Sequence, residues 1–204
     1  MRIPPFTCLF CLRKAVAFTR QEHPIPESLG NDDWILPPGF VCDGCNQYFG
    51  SKVEQRVISE PPFVMERLSH VVSSKKGRVP IYKAGPGLRL ISSGYADTAF
   101  VHAEEKYVDY YRSKLNGKSG VIPWDGPKAF YLSRFLLKVG LEVLLTSAED
   151  PYSSEFNTAR TYAREGSPNQ EWQIGYSIYP RRDDLSISTR YDEFGPLVTR
   201  QLYE

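Results

Sequence analysis

Cys8-Leu9-Phe10-Cys11, Glu22-His23-Pro24-Ile25-Pro26 and Cys42-Asp43-Gly44-Cys45 are the most informative pieces of the N-terminal part of the chain. Two residues between the cysteines of a pair let both sulfurs face one ion. Two such pairs supply four thiolates for a tetrahedral zinc site. Thirty residues separate the pairs, more than in a compact zinc finger, so the intervening loop has room to hold something else. Neither CxxC opens a strand-helix unit, which disfavours a thioredoxin-like redox pair, and four incidental cysteines at this spacing fit the pattern poorly.

Working outward, residues 1–60 read as one unit, closed by Pro61-Pro62. A domain below about 70 residues usually needs a staple, and a metal is the staple on offer. From Asn46 to Ser59 there is no proline, and Tyr48, Phe49, Val53 and Val57 fall at spacings that predict a helix. Between Thr7 and Ile35, Pro24, Pro26 and Gly30 break up short apolar pieces, predicting a knuckle, a short strand pair and an irregular loop.

Residues 61–204 mix signals, and the expected class for the whole is α+β: a zinc-stapled module over 1–60 followed by a larger α+β domain. A short helix is expected over Phe63–Val72. Strands are expected over Arg78–Ile91, around the turn Gly85-Pro86-Gly87. Lys128–Leu145 predicts a helix that is apolar over most of its circumference and therefore buried, and Ser153–Glu165 predicts a weaker one. Trp172, Ile174, Tyr176 and Ile178 alternate as in a half-buried strand. No repeat or low-complexity tract is present.

The chain has 204 residues and a net charge of +1, so any electrostatic preference lies in placement rather than in the total. Residues 61–89 carry Arg67, Lys75, Lys76, Arg78, Lys83 and Arg89 against Glu66 alone. Lys75, Lys76 and Arg78 would suit a loop contacting nucleic-acid phosphates, although a solvated surface explains the charge equally well. No apolar run approaches the ~20 residues that cross a bilayer, and Cys8, Cys11, Arg13 and Lys14 interrupt any leader-like segment. The expectation is a cytoplasmic protein with no membrane partner and with reduced cysteines. His70 and His102 have no ligand-spaced neighbours, which suits core or surface roles. Tyr107, Tyr110 and Tyr111 could stack bases but more often such a cluster is core.

CxxC, then an acidic residue and His with a following proline and glycine, then CxxC-Asn leading into a helix, resembles the zinc-containing branch of the HNH (ββα-metal) endonucleases over residues 6–58. The resemblance implies a metal-dependent hydrolysis of DNA phosphodiester bonds, with RNA as an alternative substrate and restriction or phage defence as a setting. It gives His23 the role of general base, for which an imidazole is suited near neutral pH. It implies that Glu22 and Asn46 hold a catalytic Mg²⁺ or Mn²⁺ while Cys8, Cys11, Cys42 and Cys45 hold structural Zn²⁺. Glu54 is a secondary candidate: metal ligand, brace or surface charge. Relatives often carry an asparagine shortly before the second CxxC that braces the catalytic loop. Here that stretch, Leu36-Pro37-Pro38-Gly39-Phe40-Val41, has none, and whether Asn31 substitutes is open. The rival reading is a non-catalytic zinc knuckle that binds nucleic acid or protein. A binding knuckle has no need of the Glu22-His23 pair. Homo-oligomerisation is left open.

Overall fold

The computed structural model describes residues 4–74, 76–95, 99–115, 126–167, 172, 174, 187–192 and 195–200. It divides into two compact units, Met1–Trp172 and Gln173–Glu204. In the first unit a 3-10 turn (Glu27–Leu29) precedes helices α1 (Asp43–Tyr48), a π-helical turn (Phe49–Glu54), α2 (Gln55–Ile58) and α3 (Phe63–Ser69). Strands β1 (Ile81–Gly85), β2 (Leu88–Ser92) and β3 (Ala99–Ala103) follow, and then α4 (Glu105–Leu115), α5 (Ala129–Val143) and α6 (Asn157–Glu165). In the second unit, β4 (Ile187–Asp192) and β5 (Gly195–Arg200) form an antiparallel pair. The class is α+β, as the sequence predicts.

The helix expected over 46–59 starts earlier, at Asp43, because the second cysteine pair is itself its first turn: Cys42 is the extended residue before it and Cys45 lies inside it. Phe49, Val53 and Val57 are fully buried along one stripe. The expected strand pair between the cysteine pairs contracts to a single bridge, Glu22 with Leu36. The reason is chemical. Pro24, Pro26, Pro37 and Pro38 flank the bridge on both sides and have no N–H to extend it.

β1, β2 and β3 form an antiparallel meander with Tyr82 opposite Leu90 and Leu90 opposite Val101. Leu90 packs with Val64 and Leu68 of α3, flanked by Met65, Tyr82 and Ala84. The turn joining β1 and β2 needs Gly87, at φ +64, where a Cβ would collide with the Tyr107 ring. Tyr111 donates its hydroxyl to the Pro86 carbonyl at 2.9 Å. Two of the three clustered tyrosines therefore clamp a turn, and Tyr110 remains exposed.

α5 departs from its expected character. Its inward row is charged: Arg134, Lys138 and Glu142, four residues apart, are all buried, while Leu136 and Val143 are exposed. Arg134 donates to the Ala163 carbonyl of α6 and to the Tyr48 hydroxyl, so α5 ties α6 to the helix that follows the second cysteine pair. Trp172 and Ile174 lie in no strand, and Trp172 stacks on Tyr162 with centroids 5.3 Å apart. The rest of the strand expected over 172–179 lies outside the described residues.

Candidate metal centre and catalytic cavity

Cys8, Cys11, Cys42 and Cys45 place their sulfurs within 4.8 Å of one another, among the described residues the one such group of histidine, cysteine or carboxylate ligands. Cys11 Sγ and Cys42 Sγ are 3.8 Å apart. A tetrahedron with Zn–S bonds of about 2.3 Å has edges of about 3.8 Å, which the Cys11–Cys42 separation matches while all four sulfurs lie within 4.8 Å of one another. The backbone is pre-shaped for it: Leu12 N–H bonds to Cys8 O, Cys8 N–H to Arg13 O, and Leu9 N–H to Phe40 O. Cys42 N–H points at Cys8 Sγ at 3.4 Å. Without an ion the thiols compete. A hydrogen bond from Cys45 pulls Cys8 down, the same contact pushes Cys45 up, and burial pushes Cys42 up. A divalent cation held by the four sulfurs would stabilise all of them as thiolates. Four thiolates around a divalent ion would leave excess negative charge, which Arg164, close to Cys45 and with its guanidinium 3.7 Å from the Tyr48 ring centre, would partly offset.

The loop between the cysteine pairs is fastened to α1. Asp43 accepts hydrogen bonds from Thr19 N–H, the Thr19 hydroxyl and Arg20 N–H, which hold its carboxyl below the usual range, the Thr19 side chain contributing most. Asn46 donates through Nδ2 to the Gln21 carbonyl at 2.8 Å. Asn31 donates to Ile25 O and Trp34 O and accepts from Trp34 N–H. Asn31 thus ties Ile25 to Trp34 within this loop, from further upstream of the second cysteine pair.

His23 is half-buried at the centre of that loop. Its Nδ1 is buried and has no hydrogen-bond partner in the protein. His23, Glu22, Asn46 and Glu54 line a cavity of about 630 Å³ that Lys76 and Arg78 also line. Of the basic residues selected from the sequence, these two therefore share the histidine's cavity, and Lys75 lies outside the described residues. His70, at the end of α3, faces Glu66 at the surface, and His102 is exposed on β3.

Behind this loop stands a group the sequence did not reveal. The Lys138 ammonium is fully buried, 2.6 Å from Glu22 Oε1, 2.9 Å from Glu54 Oε1 and 3.2 Å from Glu142 Oε2. It also donates to the carbonyls of His23 (2.8 Å) and Pro24 (3.3 Å). Burial alone would lower the lysine's pKa, but Glu142, Glu22 and Glu54 together raise it, so the ammonium stays charged. Burial pushes the Glu142 carboxyl well above the usual range, partly opposed by Lys138. One cation from α5 thus fixes the backbone on which His23 sits and the side chains of both Glu22 and Glu54. The signal that could have found it is the charged row at i, i+4 and i+8 on an otherwise apolar helix. Lys138→Met should lower stability by on the order of 3–5 kcal/mol, because it leaves buried carboxylates without their counter-charge. Denaturant unfolding measures this, and a loss below about 1 kcal/mol would show that the carboxylates find other partners.

Comparison with known proteins bears on this geometry directly. Residues 8–62 match the family described as HNH endonuclease. The HNH match spans both cysteine pairs, the His23 loop and the helix through Ile58, about a quarter of the 204 residues. It supports a nuclease-type function for that segment. α5, which supplies Lys138, lies beyond it. No curated protein and no solved structure matches the chain. Among the described residues, no helix is long and apolar enough to cross a membrane.

Proposed function

We propose that this protein is a divalent-metal-dependent endonuclease that hydrolyses DNA phosphodiester bonds, with His23 as general base and residues 1–60 as the nuclease module. The observation that carries the reading is His23 itself: an imidazole whose buried Nδ1 has no protein partner, on a loop braced from Asn31 and Lys138, facing a cavity lined by basic side chains. A histidine kept only for packing has no need of that bracing. Restriction or phage defence is one setting in which such DNA cleavage would act.

The cavity's oxygen donors are of the type a hard cation takes. Glu22 and Asn46 are the residues proposed to hold Mg²⁺ or Mn²⁺. Asn46 uses Nδ2 on Gln21, which leaves Oδ1 as its ligand atom, while Glu22 is shared with Lys138. Glu54, drawn to the same lysine, is proposed to position Glu22 and the loop. When bound, the ion would offset charge on the phosphate and on the departing oxygen. The four cysteines are proposed to hold zinc.

The test is incubation of purified, zinc-loaded protein with plasmid and single-stranded DNA in the presence of Mg²⁺, Mn²⁺ or chelator, with an RNA arm. Cleavage that requires the divalent ion is expected. Asn46→Ala and Glu22→Gln should raise the ion concentration needed for half-maximal rate, since each weakens an oxygen donor. Wild-type protein that binds DNA but cuts neither DNA nor RNA would sink the enzyme and leave a binding module.

A further inference from the structure

Arg67 lies on α3, between Val64 and Leu68, which pack into the core, and only 8% of its surface is exposed. Its Nε is buried without a hydrogen-bond partner, and no carboxylate pairs with its guanidinium among the described residues. Burial is the one cause acting on its acidity, and it pulls the pKa down from the ordinary arginine value. An arginine this buried is normally paired, because withdrawing an unpaired cation from water is strongly unfavourable. Yet Arg67 lines the same cavity as His23, with Lys76 and Arg78 on the rim formed by the segment before β1. Among the described residues three carboxylates line that cavity, Glu22, Glu27 and Glu54; Glu22 and Glu54 are drawn to Lys138, and no carboxylate acts on the acidity of Arg67.

We infer that Arg67 is the anion-binding residue of this cavity, its guanidinium taking a backbone phosphate of the nucleic acid beside the phosphodiester presented to His23. This rests on the proposed nuclease function and adds to it the residue that receives the strand. A guanidinium presents a planar fork of N–H donors matched to phosphate oxygens, and partial burial strengthens each such bond. The cation has no partner among the described residues because its partner arrives with the substrate. Lys76 and Arg78, nearer solvent, then contact neighbouring phosphates of the same strand.

Two measurements on Arg67→Met and Arg67→Lys test this. The first is thermal unfolding with and without inorganic phosphate. In phosphate-free buffer Arg67→Met should melt above wild type, since it removes an unpaired buried charge and keeps the length. Phosphate should raise the melting temperature of wild type and leave that of Arg67→Met unmoved. A structural arginine predicts the opposite ordering in phosphate-free buffer. The second is binding of a short DNA duplex in a His23→Ala background as salt is varied. Arg67→Met should weaken binding and reduce the log–log salt slope by roughly 0.9, the share of one phosphate contact. Arg67→Lys should restore the slope and only part of the affinity. Equal phosphate response in wild type and Arg67→Met, or equal duplex affinity and slope, would overturn the assignment. If Arg67 governs the phosphate response but wild type cuts no nucleic acid, the anion site stands and the nuclease reading falls. If Arg67→Met cuts DNA like wild type with an unchanged slope, the reverse holds.

Discussion

His23→Ala is expected to slow DNA cleavage by a factor on the order of 10²–10⁴, the usual worth of general-base assistance, while leaving fold and DNA binding nearly unchanged. Each part of that expectation has its own cause. The rate falls because no other imidazole lines the cavity: His70 and His102 are the only other histidines, and neither is part of that wall. The fold persists because what Lys138 and Asn31 hold at positions 23–25 is backbone, the carbonyls of His23, Pro24 and Ile25, which alanine also provides at position 23. Binding persists because phosphate contact is assigned to Arg67, Lys76 and Arg78. Single-turnover cleavage alongside duplex binding checks all three. Equal cutting by wild type and His23→Ala would move the base elsewhere and is the outcome that falsifies the assignment.

Removing the metal from the cysteine cluster is expected to unfold the N-terminal module rather than merely loosen it. Structural zinc contributes an apparent 10–16 kcal/mol in small zinc-stapled peptides, roughly the whole stability of an ordinary domain. The hydrophobic residues nearby cannot replace it, because they are arranged by it. Leu9 and Phe10 lie inside the first knuckle, Phe40 and Val41 lead into the second, and Phe10 packs on Phe49 with centroids 4.4 Å apart. Without the ion the buried thiols lose their shared counter-charge and the start of α1 comes free, taking with it Asn46 and the Asp43 contacts to Thr19 and Arg20. Purified reduced protein should carry about one zinc per chain. Chelation or Cys45→Ser should abolish the cooperative unfolding transition of this part, followed by tryptophan fluorescence of Trp34 and by circular dichroism. A zinc-free chain with an unchanged melting curve would show that the core stands alone.

What the sequence revealed and what it hid divide along chain distance. The cysteine pairs are legible because the spacing within each pair is local and the chemistry of four thiolates admits few uses. The helix through Phe49, Val53 and Val57 is legible because its periodicity is written on one face. The short strand pair expected between Thr7 and Ile35 shrinks to one bridge, because short apolar pieces do not say how few N–H groups the prolines beside Glu22 and Leu36 leave to pair. The row Arg134, Lys138 and Glu142 marks α5 as unusual, but Lys138's partners Glu22 and Glu54 lie far away in the chain, so the row does not say that the lysine meets three carboxylates. Arg67 was counted only as one charge among several in residues 61–89. What sets it apart is a buried Nε without a partner among the described residues, which a sequence cannot display.

The bond from Lys138 to the His23 carbonyl spans 115 residues. A chain grows from its N-terminus at about 5–20 residues per second, so the interval between making the histidine and making its lysine is roughly 6–23 seconds. In the later part of that interval, once Arg78 has been made, a growing chain contains both cysteine pairs and every residue assigned to chemistry, but not the ammonium that fixes their loop. The motif and the working site are thus separated in time as well as in sequence, and the site is completed only when the chain has been made through the middle of α5.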